Sequence, residues 1–385
     1  MKIEVAKSDL DNALAVAGLA LGSASDLSSH YLFRIRDGGV EVLTFDLRLF
    51  ASAPVICNYE GDDGEAFTLE GWRLDKWVAG VADGVLKFST GKDGEVTASS
   101  TRSKVRFRSL DPAKYPYMDE LLKHSTVAGS IDPLSLARAL SVSRWFVSAD
   151  DTSKPELCQV EAVEGVLWAT DRRALSSFKI EALPTLGIRI PGKDVPSIVR
   201  FLSDKRATDF PVEIKEVERP AADGGGASAL FVRPDGSFLG VTRPLSTFPT
   251  LNVDRDAPPE VSVNLNVQEF QAAVAVLEAG APKGHGSVTF SYDPTESVLK
   301  VSMPCDAGGE NHYPLSGSSV EGADKFDTPF TVDYQYIKGL STAFNLDVIP
   351  LGVTKRNRGG FVSFKSEEGG DGNGTSYFAV IVWRT

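Results

Sequence analysis

A short strand followed by an amphipathic helix recurs three times along the chain. Apolar and polar residues alternate in each strand segment, and the apolar residues of each following segment recur at spacings of three and four. The three copies are residues 1–5 with 10–14, residues 127–131 with 136–140, and residues 261–265 with 270–274. Because a repeat at this spacing marks a multi-unit architecture, we predict three similar structural units.

Each third of the chain contains a second strand and helix of the same kind. The strand patterns are residues 67–69, 188–191 and 330–333, and the helix patterns after them start near Leu74, Val195 and Tyr336. Further segments have the β-branched and aromatic composition of strands: residues 40–45, 85–89, 105–108, 288–292 and 377–382. Two helices and many strands per third predict an α+β fold.

Polar junctions divide the chain into near-equal parts. One is the segment 124–126, and the other is the charged, proline-containing segment 254–259. We therefore predict domains at residues 1–125, 126–254 and 255–385. Two glycine-rich segments, 221–226 and 368–374, predict hairpin loops and not phosphate-binding loops, because neither joins a strand to the start of a helix.

Charge and cysteine content narrow the classes of protein. The 385 residues include 40 basic and 52 acidic side chains, a formal net charge of -12, which disfavours a protein that holds nucleic acid by its overall charge. Cys57, Cys158 and Cys305 are far apart in sequence and are expected to be buried thiols. Without an apolar signal core or a membrane-length apolar run, the chain is expected in the cytoplasm, with no membrane partner.

No catalytic or metal-binding motif stands out. His30, His124, His285 and His312 are isolated, and the sequence has no paired-cysteine spacing, nucleophile elbow or Walker loop. We expect a non-catalytic protein without a cofactor or metal. A hydrolase with an unrecognised site remains an alternative.

Short motifs resemble the beta subunit of bacterial DNA polymerase III, the sliding clamp family. Residues 103–110 followed by Tyr115-Pro116 look like the family's basic-apolar strand and aromatic-proline turn. Residues 169–175, Ala-Thr-Asp-Arg-Arg-Ala-Leu, resemble its Ala-Thr-Asp-x-x-Arg-Leu strand end, and Phe248-Pro249 resembles its Phe-Pro turn. The resemblance spans the whole chain. The different residues at 172–174 and 381–385 indicate a divergent chromosomal copy or a phage-encoded member.

The resemblance implies three tandem DNA-clamp domains, each with two helices packed on antiparallel sheets. It implies a homodimer that closes head to tail into a ring, encircles duplex DNA without sequence preference and is nucleoid-associated. It also implies that the replicative DNA polymerase, the clamp loader and repair proteins bind through short linear motifs.

Matching positions give a candidate partner-peptide groove, whose residues are Leu157, Thr170, Asp171, Arg172, Arg173, Leu175, Pro249, Val253, Ala379 and Ile381. Leu175 and Ile381 could alternatively be core residues. Basic residues in or beside the helices are expected to face DNA: Lys76, Arg138, Lys193, Arg200, Lys205, Arg206 and Lys338. The alternative for each is an ordinary solvated helix face.

A β-rich carbohydrate- or receptor-binding protein is the competing function. The sequon Asn373-Gly374-Thr375 favours it, whereas the missing signal segment and the few cysteines disfavour it.

Overall fold

The computed structural model forms two compact units, and each contains parts of the middle third. The first unit comprises Met1–Pro133 and Pro196–Arg243, and the second comprises Leu134–Val195 and Pro244–Thr385. The structure describes the chain except residues 24–25, 117–121, 151, 181–182, 184–187, 207, 220–225, 243–245, 247, 250–257, 281–285, 306–307, 327, 342–346, 357–358, 367–375 and 384–385.

Six helices of eight or more residues occur in the described parts of the chain, two in each third. They are α1 (Lys7–Ala17), α2 (Gly71–Gly80), α3 (Pro133–Ser143), α4 (Val195–Leu202), α5 (Val267–Ala279) and α6 (Tyr334–Ser341). All six predicted helices are confirmed. Each buries its apolar stripe; in α2, for example, Leu74 and Val78 are buried, whereas Asp75 and Lys76 are exposed.

The first third contains β1 (Lys2–Ala6), β2 (His30–Arg36), β3 (Gly39–Phe45), β4 (Leu49–Val55), β5 (Cys57–Glu60), β6 (Ala66–Glu70), β7 (Val85–Thr90), β8 (Glu95–Ser99) and β9 (Lys104–Arg108). The middle third contains β10 (Ser125–Ile131), β11 (Gln159–Val163), β12 (Val166–Thr170), β13 (Ala174–Lys179), β14 (Ile188–Pro191), β15 (Val212–Arg219), β16 (Gly226–Val232) and β17 (Phe238–Thr242). The last third contains β18 (Val261–Asn266), β19 (Ser287–Asp293), β20 (Val298–Pro304), β21 (Glu310–Leu315), β22 (Ser319–Glu321), β23 (Phe330–Asp333), β24 (Val348–Arg356), β25 (Gly359–Ser366) and β26 (Ser376–Trp383).

Four antiparallel sheets contain these strands. The first unit has a five-stranded sheet in the order β5-β1-β7-β8-β9 and an eight-stranded sheet in the order β10-β15-β16-β17-β4-β3-β2-β6. The second unit has a nine-stranded sheet, β14-β11-β12-β13-β26-β25-β24-β18-β22, and a four-stranded sheet, β21-β20-β19-β23. The α+β class expected from the sequence is therefore confirmed.

The strand order itself repeats three times. The first third contributes β5-β1-β7-β8-β9 and β4-β3-β2-β6, and the last third repeats both orders as β22-β18-β24-β25-β26 and β21-β20-β19-β23. The middle third repeats them as β10-β15-β16-β17 and β13-β12-β11-β14, with no counterpart of β5 among its described strands. The predicted internal repeat is thus present at the level of topology.

Each large sheet is continuous across a junction between thirds. In the first unit β17 pairs with β4, and in the second unit β26 pairs with β13. In both pairings the last strand of one repeat pairs with a strand of the preceding repeat. The strands that receive it, β4 and β13, occupy equivalent positions in their repeats. The glycine-rich segments predicted as hairpin loops connect β15 to β16 and β25 to β26, which do pair antiparallel.

Stacked aromatic pairs occupy equivalent core positions in the first and last repeats. Phe33 pairs with Phe67 in the register of β2 and β6, with ring centroids 5.1 Å apart. Phe290 pairs with Phe330 in β19 and β23, at 4.9 Å. All four rings are at most 1% exposed, and burial of each stabilises the fold by about 2–3 kcal/mol.

The cysteine prediction was partly wrong. Cys57, Cys158 and Cys305 are free thiols, but all three are half-buried, because each lies near the end of a strand or beside a turn where one side remains open. Burial raises the pKa of Cys57 to about 11. None of the described helices has the length and apolar character needed to cross a bilayer.

Candidate functional site

A tight turn between β12 and β13 forms the centre of the predicted groove. Asp171 Oδ1 accepts hydrogen bonds from the backbone N–H groups of Arg173 at 2.8 Å and Ala174 at 2.9 Å. Arg172 has φ = 74°, so the turn places a non-glycine residue in the left-handed region. The Thr170 hydroxyl donates to the Ala174 carbonyl at 2.7 Å, and the Tyr336 hydroxyl donates to the other oxygen of Asp171. These bonds hold the turn rigidly.

The same turn occurs in the first repeat. Asp46 Oδ1 accepts from the N–H groups of Arg48 at 3.0 Å and Leu49 at 2.7 Å, and Leu47 also has φ = 74°. An aspartate that accepts from the backbone N–H groups two and three residues later is thus a structural feature shared by the first two repeats. Because the turn also occurs in the first repeat, the turn alone does not mark a partner site. The prediction that residues 170–175 bind a partner therefore depends on the side chains that surround this turn in the middle third.

The segment that leads to Pro249 is tied to β11 and β14. Gln159 Nε2 donates to the Ser246 carbonyl at 3.2 Å, and Arg189 Nη1 donates to the same oxygen at 3.1 Å. Arg189 Nε also pairs with Glu161 at 2.8 Å. Pro249 itself is half-buried, and Val253 lies outside the described residues. These hydrogen bonds hold Ser246, three residues before the proline, beside β11.

The register of β12, β13 and β26 separates the candidate residues into two faces. Thr170 is opposite Leu175, and Leu175 is opposite Val380, so these three side chains share one face. Ala174 is opposite Ile381, and Ser176 is opposite Ala379. Ala379 and Ile381 consequently lie on the other face.

The second face belongs to the core. Ala379 is 0% exposed and Ile381 is 1% exposed, and Ser176 on this face contacts Ser143 of α3 at 3.4 Å between hydroxyl oxygens. Val380 is half-buried and Val382 is 45% exposed on the face of Leu175. Ala379 and Ile381, which were predicted to line the groove, are therefore core side chains, and Val380 and Val382 are the more accessible side chains on this end of β26. Strand alternation in residues 377–382 was the available signal, but it does not say which face is covered.

The remaining groove candidates differ in accessibility. Leu157 is fully buried, and its carbonyl accepts from the Ser148 N–H at 2.8 Å. Leu175 is 5% exposed. Arg172 and Arg173 are exposed, and Arg172 Nη2 lies 3.3 Å from Glu156 Oε1. The arginines form a polar rim beside an apolar strip of Leu175, Val380 and Val382.

The basic residues expected to face DNA fall into two groups. Lys76, Lys193, Arg200, Lys205 and Arg206 are exposed. Arg138 and Lys338 are half-buried, and Lys338 forms an ion pair with Glu278 and lies 5.7 Å from the ring centroid of Trp145. A paired, partly covered ammonium attracts a phosphate less than a free one. Arg206 in the exposed group is also paired, with Asp204, so the two groups differ in exposure and not in pairing.

Within the described parts of the chain, no three histidine, cysteine or acidic side chains are grouped so that they could hold a metal ion.

Comparison with known proteins relates the fold to one class of solved structures. No protein-family model matches the chain, and no curated protein matches it. The chain is similar to the DNA polymerase III beta subunit from Thermotoga maritima, with 16% identity and a TM-score of 0.78 over 100% of this chain and 99% of that one. It is also similar to the DNA polymerase sliding clamp from Bacillus subtilis, with 16% identity and a TM-score of 0.76 over the same shares.

A third similar structure is the beta subunit of the DNA polymerase of Streptococcus pyogenes, with 14% identity and a TM-score of 0.75 over the full length of both chains. The chain therefore has the sliding clamp fold along its whole length. The expected fold is confirmed.

Proposed function

We propose that this protein is a non-catalytic DNA sliding clamp, in which two chains close head to tail into a ring around duplex DNA. The observation that carries the proposal is the position of two strand edges. In the described residues, β9 and β21 each pair on one side only, because each is the last strand of its sheet.

These two edges are equivalent to edges that do pair inside the chain. β9 is the counterpart of β17 and β26, and β21 is the counterpart of β4 and β13. Since β17 pairs with β4 and β26 pairs with β13, the same rule pairs β9 of one chain with β21 of a second chain. Two such junctions per dimer close a ring with two-fold symmetry and leave neither edge open.

The charges on the two edges are complementary. Lys104, Arg106 and Arg108 are exposed on β9, whereas β21 exposes Glu310 and has Pro314 in place of a hydrogen-bond donor. Exposed basic side chains and proline also discourage pairing with unrelated strands. A specific partner strand is thus favoured over uncontrolled association.

The net charge of -12 agrees with this function. A ring retains DNA by enclosing it, so its inner surface needs only weak, non-specific phosphate contacts that permit sliding. The exposed basic residues on or beside α2 and α4 are the proposed inner surface in the first unit. An acidic exterior keeps DNA from adhering elsewhere.

The proposed partner site is the apolar strip of Leu175, Val380 and Val382, with Thr170, the rim arginines and Pro249 beside it. A short extended peptide from the replicative polymerase, the clamp loader or a repair protein would bind here and be tethered to DNA. We extend the proposal to the domain limits 1–125, 126–254 and 255–385, supported by the triple repeat of strand order. Such a protein would act in the cytoplasm, on the nucleoid.

The proposal is tested by mass and by retention on DNA. Light scattering should give twice the chain mass of 41.3 kDa. With a clamp loader, the protein should remain on a nicked circular duplex through gel filtration and be lost after the circle is cut. A monomer at micromolar concentration, or equal retention on circular and linear DNA, would overturn the ring.

A further inference from the structure

A cavity of about 320 Å³ lies in the first unit between α1 and α4. One wall is apolar and includes Val16 of α1 and Leu19 of the turn Gly18–Ala20. The opposite wall includes Arg200, Asp204, Arg206 and Arg233. The cavity is about ten times the volume that one water occupies in the liquid, roughly 30 Å³, so it can hold a larger polar group.

Arg233 forms the buried base of the charged wall. It is 3% exposed, and its guanidinium lies 4.0 Å from the ring centroid of Phe201. One terminal nitrogen contacts Asp204 Oδ2 at 3.2 Å and the other donates to the Phe201 carbonyl, but its Nε has no hydrogen-bond partner among the described groups. A buried donor without a hydrogen-bond partner lowers the free energy of unfolding. Arg233 therefore brings a positive charge to the bottom of the cavity at a cost in stability.

The wall carries a surplus of positive charge. Arg206 Nε donates to Asp204 Oδ1 at 2.9 Å, and this hydrogen bond is the main cause that lowers the pKa of Asp204 to about 2, so Asp204 stays ionised. Asp204 offsets one of the three guanidinium groups, and the exposed Asp235 also attracts Arg233 and Arg206, so a surplus of one positive charge remains. Arg200 is exposed and has no ion pair in the described structure. Its charge is available to a ligand.

The second unit provides an internal comparison. There α3 and the turn Arg144–Phe146 correspond to α1 and the turn Gly18–Ala20, which places Trp145 where the first unit has Leu19. The two eight-residue helices α4 and α6 align end to end, which places Gly339 where the first unit has Arg200.

Trp145 packs against Gly339 so closely that a Cβ on the glycine would lie 2.9 Å from two Trp145 side-chain atoms. In the second unit the indole thus occupies the space beside this position of the helix. The first unit combines a smaller leucine with an added arginine at the equivalent positions, and the result is an open, basic cavity.

We infer that the cavity between α1 and α4 binds one phosphate group of the DNA backbone, with Arg200 as its principal contact. Guanidinium groups bind phosphate oxygens through paired N–H donors, and the buried Arg233 adds field strength from below. This inference rests on the proposed clamp function for the source of the phosphate, because α4 carries basic residues expected to face DNA.

Two variants distinguish phosphate binding in the cavity from a general effect of positive charge on DNA binding. Arg200→Gln removes the contact, and Leu19→Trp fills the cavity as Trp145 does in the second unit without changing any charge. The controls are Lys92→Gln, which removes an exposed charge elsewhere, and Val85→Trp, which adds an indole at a position that is 51% exposed. Circular dichroism and the melting temperature in chloride verify that each variant folds.

Binding is measured by anisotropy of a labelled duplex of about 20 base pairs at several salt concentrations. Arg200→Gln should weaken binding about threefold to tenfold and reduce the slope of log K against log salt by about 0.9, the value for one phosphate contact. Leu19→Trp should weaken binding as much, and both controls should bind as wild type does. Wild-type affinity for Leu19→Trp, or an equal loss in Lys92→Gln, would overturn the assignment.

A second measurement distinguishes a backbone phosphate from free phosphate. Inorganic phosphate at constant ionic strength should raise the melting temperature of wild type but not of Leu19→Trp, because a ligand stabilises the state that binds it. If phosphate does so while the variants bind the duplex normally, the site takes free phosphate and the DNA assignment is wrong. Failure of retention on nicked circles, with these differences intact, would refute the ring and leave the phosphate site.

Discussion

At the residue scale, the stability of the first unit depends on the ionised carboxylate of Asp204. It accepts from Arg206 and contacts the buried Arg233, whose guanidinium would otherwise have no carboxylate partner within hydrogen-bond distance among the described residues. The pKa of Asp204 is lowered to about 2, against about 3.9 in an unfolded chain. A depressed carboxyl pKa stabilises the fold above the unfolded value, and this contribution disappears as the pH falls from about 4 to 2.

We therefore expect Asp204→Asn to lower the free energy of unfolding at pH 7 by about 2 kcal/mol, a value reduced from the fully buried case because Asp204 is partly exposed. The difference from wild type should shrink between pH 4 and pH 3 in urea denaturation. Asp83→Asn, at a fully exposed carboxylate, should stay within about 0.5 kcal/mol of wild type. A difference that is constant with pH would contradict the coupling.

A substitution of Val382 tests whether the proposed face of β26 binds partners. It is 45% exposed on the face of Leu175, so Val382→Asp should place a carboxylate in the apolar strip without disturbing the core. A peptide with a polar first residue and a Leu-Phe-type apolar end should bind wild type in the micromolar range, about -7 to -8 kcal/mol, and this variant at least about tenfold more weakly.

Val348→Asp is the matched control, since Val348 is 43% exposed in β24 of the same sheet, two strands from β26. Leu175→Asp should abolish binding too, but at a cost in stability because Leu175 is buried. Normal binding by Val382→Asp would refute the groove on this face and leave the ring unaffected.

At the element scale, the proposed ring depends on the pairing of the edge strand β9 with β21 of a second chain. Arg106 is equivalent to Gly240 and Val380, and Glu310 is equivalent to Phe50 and Leu175, so the repeated register puts Arg106 opposite Glu310 of the second chain. Replacing Lys104 and Arg106 with Glu therefore puts one like charge opposite Glu310 and a second beside it, and like charges across a strand pair are destabilising. We expect the dimer to dissociate at least about tenfold more readily, which sedimentation at several concentrations would reveal.

The control for that variant replaces two exposed lysines outside β9, Lys92 and Lys114, with Glu. It changes the net charge equally and should remain dimeric. Adding Glu310→Lys to the β9 variant should restore part of the association. Dissociation of both doubly substituted proteins to the same extent would show that net charge, and not strand pairing, controls assembly.

At the scale of the whole molecule, an acidic protein with local basic helices should hold DNA weakly and by enclosure. Replacing Lys76, Lys193 and Arg200 with Glu should reduce retention on nicked circular DNA of any sequence by about tenfold or more at low salt, with little change in stability, because all three are exposed. Unchanged retention would mean that these helix faces do not line the path of the DNA.

The sequence by itself determined the threefold repeat of helices and strands. Alternation in strands and spacing in helices reflect local backbone geometry, which does not depend on the elements that pack against each segment. The six helices and the strands at 40–45, 85–89, 105–108, 288–292 and 377–382 follow from such patterns. The resemblance singled out residues 169–175, and the turn that they form is local, since the Asp171 side chain accepts from the N–H groups two and three residues later and needs no distant neighbour.

Only the tertiary structure decided which strand edges remain open, which face of β26 is covered, and that α1 and α4 enclose a charged cavity. Register depends on the partner strand, and a shift of one residue exchanges Ala379 and Ile381 for Val380 and Val382. Leu19 and Arg233 are far apart in sequence and unremarkable there. They become one site because the repeat brings α1 and α4 together, with a leucine where the equivalent junction has Trp145.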